Sequence, residues 1–114
     1  MPIAVRINTA GQVVGVDNPA GVSKSLQEEL LWIPLGNGGP WTITFDKASG
    51  DPSTYPIASG SPFSQTVFVV NPGSPTPSGP VTTGLVGRTY RYNVRQGTSP
   101  TGPIKHDPDV DVES

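Results

Sequence analysis

The stretch Trp41-Thr42-Ile43-Thr44-Phe45-Asp46 alternates without interruption between large apolar and small or charged side chains. A two-residue repeat puts Trp41, Ile43 and Phe45 on one face and Thr42, Thr44 and Asp46 on the other, which is a β-strand with a core side and a solvent side. Working towards the N-terminus, Glu29-Leu30-Leu31-Trp32-Ile33 is a compact apolar run stopped by Pro34 and by the Gly36-Asn37-Gly38-Gly39-Pro40 loop. Local propensity favours a helix over Leu26 to Ile33, but the compact apolar run with Trp32-Ile33 and the breakers behind it predict a strand from about Glu29, with a short turn at 25–28. Residues 3–8 and 12–17 are two β-rich runs around Thr9-Ala10-Gly11, read as two strands or one bent strand ending at Asn18-Pro19.

Towards the C-terminus, residues 47–63 carry Gly50, Pro52, Pro56, Gly60 and Pro62 and read as a long irregular connection. Val67-Phe68-Val69-Val70 is a continuous apolar run, predicted to be a strand covered on both faces or at a sheet centre. Residues 74–87 form a second loop rich in Pro, Gly, Ser and Thr, with an edge strand expected at 81–83. Residues 88–95 alternate again, with Tyr90, Tyr92 and Val94 opposite Thr89, Arg91, Asn93 and Arg95. Asp107-Pro108-Asp109-Val110-Asp111-Val112-Glu113 then reads as a closing strand. Pairing it with 88–95 would bring Asp109, Asp111 and Glu113 near Arg91 and Arg95 on an exposed face, opposite charges that fix register.

The composition agrees with a mostly-strand chain. Gly and Pro contribute 14 residues each to a chain of 114, leaving no room for a bundle of long helices. The length fits one domain, 1–114, and about seven short strands with alternating patterns predict an all-β Greek-key sandwich of cupredoxin-like or immunoglobulin-like form. Only 14% of residues are charged and the net charge is −2, which offers no footprint for nucleic acid or an anionic membrane. No basic segment leads into an apolar stretch at the N-terminus and no apolar run is long enough to span a bilayer, so neither a signal peptide nor a transmembrane segment is expected and the cytoplasm is the default compartment. With no Cys, one His and Met1 as the one methionine, thiol nucleophiles, thiolate metal sites and most His-based catalysis lack their parts.

Val22-Ser23-Lys24, Glu29-Leu30-Leu31-Trp32, Trp41-Thr42-Ile43-Thr44-Phe45, Ser61-Pro62-Phe63, Thr89-Tyr90-Arg91-Tyr92-Asn93-Val94 and Asp107-Pro108-Asp109-Val110-Asp111-Val112 together resemble small bacterial cupredoxin-like domains over residues 12–113. The resemblance implies the fold. Copper carriers of that family use two His, one Cys and usually a Met, a donor set this chain does not possess, so no copper ligand carries over and electron transfer is not expected.

The remaining candidates are few. Asp107, Asp109, Asp111 and Glu113 have the alternate spacing of a hard-cation loop, but Pro108 and Val112 interrupt its pattern; a solvated strand face is the better reading, with weak metal binding at Asp107, Asp109 and Asp111 as the alternative. His106, between Lys105 and Asp107, has no nucleophile at a recognisable spacing and reads as a surface-loop residue. No glycine cluster matches a phosphate or dinucleotide loop, and no cofactor is expected. Trp32 and Trp41 are expected in the core, although exposed they would favour a sugar-stacking platform. Tyr55, in the 47–63 loop, and Phe63 at its end are the candidate contact residues. The expectation is therefore a non-enzymatic, copper-free interaction module whose partner is another protein or a second copy, acting through loops 47–63 and 72–87 or an exposed sheet edge. The alternatives are a carbohydrate-binding sandwich and a structural subunit of a larger particle.

Overall fold

The computed structural model describes residues 2–14, 20–45, 57–58 and 60–114, and those residues are all-β with no helix. Their strands, shorter and more numerous than expected, are β1 (Pro2–Ile7), β2 (Val13–Val14), β3 (Ala20–Ser23), β4 (Glu29–Pro34), β5 (Trp41–Thr44), β6 (Ile57–Ala58), β7 (Val67–Val70), β8 (Thr76–Pro77), β9 (Thr89–Arg91), β10 (Asn93–Gln96), β11 (Ile104–His106) and β12 (Asp109–Glu113). They form three four-stranded sheets in the orders β2-β1-β4-β8, β11-β10-β5-β7 and β3-β12-β9-β6. The sandwich-like packing encloses one apolar cluster fed by all three sheets.

Strand β4 begins at Glu29 as its sequence predicts, and its alternation buries Leu30, Trp32 and Pro34. The turn before it spans 24–27 and closes with Gln27 at a φ of 52°. Trp32 is the centre of the core. Its ring packs on Phe68 at 5.0 Å and edge-on to Tyr92 at 5.6 Å between centroids, so the first sheet is pressed onto the second through aromatic contacts. The first two β-rich runs form a hairpin, β1 against β2 with Arg6 opposite Val14; the expected end of the second run at Asn18-Pro19 lies outside the described residues.

Several expectations are corrected. In β5 the threonines do not face solvent: Thr42 is 0% and Thr44 3% exposed. Both hydroxyls are used, Thr42 donating to the Gly97 carbonyl at 2.7 Å and Thr44 accepting from Arg95 Nε at 3.0 Å. Burial of small polar groups is tolerated there because each is hydrogen-bonded.

Strand β7 is an edge strand, not a central one. Among the described residues it pairs only with β5, burying Phe68 and Val70 and exposing Val67 and Val69. A continuous apolar run is ambiguous between the two placements, and here one face of the run is left uncovered.

The edge strand in the 74–87 loop falls at 76–77, against Leu31 and Trp32, rather than at 81–83. Residues 82–84 instead gather their N–H groups on a single acceptor, the Pro62 carbonyl, at 3.0, 3.3 and 3.2 Å. Having found that partner, they do not need a ladder.

Residues 88–95 are two strands. The chain changes sheets at Tyr92, whose N–H bonds the Pro108 carbonyl at 3.1 Å; β9 lies beside β12, and β10 lies between β5 and β11. The inward row Tyr90, Tyr92 and Val94 continues through the switch. The expected pairing with the acidic strand is present, Asp109 opposite Arg91 and Asp111 opposite Thr89, but it is partly enclosed rather than exposed. Arg95 turns away from the acids, donating through Nη1 to the Gly102 carbonyl at 2.8 Å.

Candidate functional site

The aromatic candidates divide into buried ones and one outside the described set. Trp32 is 0% and Trp41 3% exposed, so neither can offer a ring to a sugar. Phe63, a candidate contact residue, is corrected to a core position: it is 2% exposed and its ring stands edge-on to Phe45 at 5.7 Å. Burial of an aromatic ring releases more free energy than a loop position would, so Phe63 anchors the end of the 47–63 connection instead of presenting it. Tyr55 and most of that connection lie outside the described residues.

The ionisable candidates are engaged in structure. Asp109 holds Arg91 and Asp111 accepts from the Thr89 hydroxyl, leaving Asp107 at the surface. Among the described residues no group of three or more His, Cys, Asp and Glu side chains is arranged to hold a metal ion. His106 lies on β11, not in a loop, and its Nδ1 accepts the Val13 N–H at 3.0 Å. That bond ties the edge of the second sheet to the edge of the first.

What the fold leaves open is apolar. Val67 is 43% and Val69 39% exposed, on the same outer face of the β5–β7 pair. Val67 also borders a hollow of about 260 Å³ walled by Thr44, Phe45, Thr66 and Pro100. The backbone of β7 lies at the edge of its sheet, with Thr76 of β8 beside Val69. Phe45 N–H bonds the Thr66 carbonyl at 2.9 Å, and in an antiparallel ladder bonded pairs alternate with non-bonded ones. Phe68 and Val70 therefore direct their N–H and C=O groups at β5, while Val67 and Val69 direct theirs at the free edge. Among the described residues the contact there is a long 3.5 Å bond from the Thr76 hydroxyl to the Val69 carbonyl.

Neither valine stands out by residue type, and the apolar run that contains them reads equally well as core. A sequence signal does exist: residues 52–87 contain no Asp, Glu, Lys or Arg, so this edge is flanked by no charge on its own segment. No protein-family model, curated protein or solved structure matches the chain.

Proposed function

We propose that this chain is a non-enzymatic interaction module on a copper-free, Greek-key, cupredoxin-like sandwich, in which the fold displays a binding edge and the family's metal chemistry is absent. The observation that carries this reading is the uncharged β7 edge, where Val67 and Val69 expose both apolar side chains and outward-facing backbone groups. Extended segments add to such an edge through main-chain hydrogen bonds, with alternate side chains supplying selectivity. The donor set supports the same reading, because a chain without Cys and with His106 alone cannot assemble the soft copper site of the resembling family. The sugar-binding alternative is weakened by the burial of Trp32 and Trp41.

The test is retention of a protein or peptide partner by the immobilised chain, compared with Val67→Lys and with a panel of immobilised glycans. A stoichiometric protein partner bound by the wild type and lost in Val67→Lys supports the reading. Glycan binding unaffected by Val67→Lys, or turnover of a substrate, overturns it.

A further inference from the structure

Five asparagines occur in the chain, and their surroundings separate them. An asparagine amide is open to attack by the backbone nitrogen of the residue that follows it, so that residue and the freedom of the amide decide which one reacts. Asn18 and Asn71 precede Pro19 and Pro72, whose nitrogens carry no proton to lose. Asn8 is held in its own turn, with Oδ1 accepting the Ala10 N–H at 3.0 Å and the Gln12 N–H at 2.9 Å, and the β-branched Thr9 follows it. Asn93 is 7% exposed within β10, opposite Thr44, and Val94 follows it. Asn37 differs from all of these: it is exposed, its side chain makes no hydrogen bond among the described residues, and Gly38 follows it.

Packing requires the glycine at 38. In the turn after β4, Gly36 takes a φ of 58° and the Gly38 N–H bonds the Leu35 carbonyl at 3.2 Å. A Cβ on Gly38 would stand 3.0 Å from the Thr9 Cα, a main-chain atom that cannot swing aside. The residue that lets this turn lie against the β1–β2 connection therefore also leaves its nitrogen with no side chain to shield it from the Asn37 amide. We infer that the Asn37–Gly38 step is a site of spontaneous deamidation in the folded chain, with water as the co-reactant.

The Gly38 nitrogen gives its proton to solvent base and bonds to Asn37 Cγ. The Cγ–Nδ2 bond breaks with its electron pair on nitrogen, which takes up a proton and leaves as ammonia, and a succinimide ring now spans the two residues. Water then opens one of the two ring C–N bonds. Opening at Cγ restores the main chain with an aspartate at 37; opening at the main-chain carbonyl carbon leaves an isoaspartate, whose chain runs through the former side chain. Either route exchanges NH2 for OH without an oxidant or reductant, and the net charge of −2 becomes more negative by one. Because the Gly38 N–H is engaged by Leu35, attack waits on local opening of the turn and is slower than in the unfolded chain. Isoaspartate adds a methylene to the main chain where Gly38 already lies against Thr9, so that product loosens the contact between the 36–40 loop and the β1–β2 connection.

Incubation of the folded chain in mildly alkaline buffer, sampled over time by ammonia assay and by peptide mapping that resolves aspartate from isoaspartate, is the test. The expected result is release of one ammonia per chain, exchange of NH2 for OH located at Asn37, and a rate that rises with hydroxide concentration. Asn8 and Asn93, held in the fold, should convert about tenfold more slowly or less. Asn37→Gln, whose longer side chain closes its imide ring far more slowly, should abolish the release; because residue 37 is exposed, near-ultraviolet circular dichroism of this variant should match the wild type and report an intact fold. In urea the same step should run faster than in the folded chain, and the isoaspartate form, once separated, should melt below the aspartate form. A folded chain that keeps Asn37 while the urea-unfolded chain converts it, conversion of Asn8 or Asn93 at the same rate, or undiminished ammonia release from Asn37→Gln overturns the inference. An isoaspartate form that melts with the aspartate form overturns the loosening of the Thr9 contact.

Discussion

Arg91 and Asp109 face each other across the β9–β12 ladder as a forked ion pair, Nε to Oδ1 at 2.7 Å and Nη2 to Oδ2 at 3.3 Å. The carboxylate is nearly enclosed, with the Asp109 side chain 6% and the Arg91 side chain 18% exposed. A pair taken out of water is costly to break from one side, because the remaining charge keeps its desolvation penalty. Asp109→Ala should therefore lower the unfolding free energy by about 3–5 kcal/mol in urea titrations. Replacing both partners together, Arg91→Met with Asp109→Leu, should cost clearly less than Asp109→Ala alone. Equal losses would mean that the pair is not energetically coupled.

Alkaline stability depends on Tyr92. Burial pushes its hydroxyl well above the ordinary tyrosine value of 10.0; the Trp32 indole, edge-on beside it, offsets part of the rise, and the Asp109 charge adds to it. Above about pH 10 the unfolded chain loses this proton while the folded chain keeps it, so the folded state binds more protons and stability falls as pH rises. The slope from this one group approaches about 1.4 kcal/mol per pH unit over the window between the two values. Melting temperatures from about pH 9 to 11.5 should fall less steeply for Tyr92→Phe than for the wild type; parallel curves would remove Tyr92 as the cause.

Gln27 closes the turn before β4 at a φ of 52°, the left-handed region that a side chain disfavours. The rest of the turn is held by its neighbours, with Glu28 Oε1 accepting the Ser23 N–H at 2.7 Å. Gln27→Gly should raise stability by about 0.5–1 kcal/mol, the relief of the side-chain clash exceeding the entropy added to the unfolded chain. A lower melting temperature for Gln27→Gly would show that the Gln27 side chain contributes more than its backbone strain costs.

The bond from Val13 N–H to His106 Nδ1 joins two sheet edges that share no ladder. His106→Ala leaves that donor without its acceptor and should cost about 1 kcal/mol, since the site is half-buried and water replaces part of the bond. Amide exchange at Val13 should accelerate while that of Val5, in the centre of β1, changes only with global stability. Unchanged exchange at Val13 would place the bond outside the stabilising set.

Much of the fold is legible in the residues. Alternation in 41–45 and 109–113 and the breakers after Ile33 locate β4, β5 and β12, because core-facing periodicity is written locally. Partners are not written locally. The pattern from Thr89 to Arg95 is one uninterrupted alternation, and only the hydrogen bond from Tyr92 to Pro108 reveals that it serves two sheets. Thr42 and Thr44 look solvent-facing because threonine is equally at home on a wet face or under a hydrogen-bonded cover, and Gly97 and Arg95, distant in sequence, decide between them. The edge is hidden for the converse reason: Val67 and Val69 have core-like composition, and their exposure follows from β7 pairing only with β5 among the described residues, which no residue records. Its trace is the missing charge over 52–87, a property of a long segment rather than of any motif.

The parallel pairing of β3 with β12, Ala20 beside Val110 and Ser23 beside Glu113, has a consequence for how the chain reaches its native state. Parallel contacts between strands so far apart in sequence must absorb the entropy of closing nearly the whole chain as one loop. During synthesis the third sheet cannot be completed until residues 109–113 have emerged, long after the Val67–Val70 segment. The nascent chain therefore passes through an interval in which the apolar Val67–Val70 strand is displayed before its slowest sheet has closed, and expression yield should depend on how quickly that interval ends.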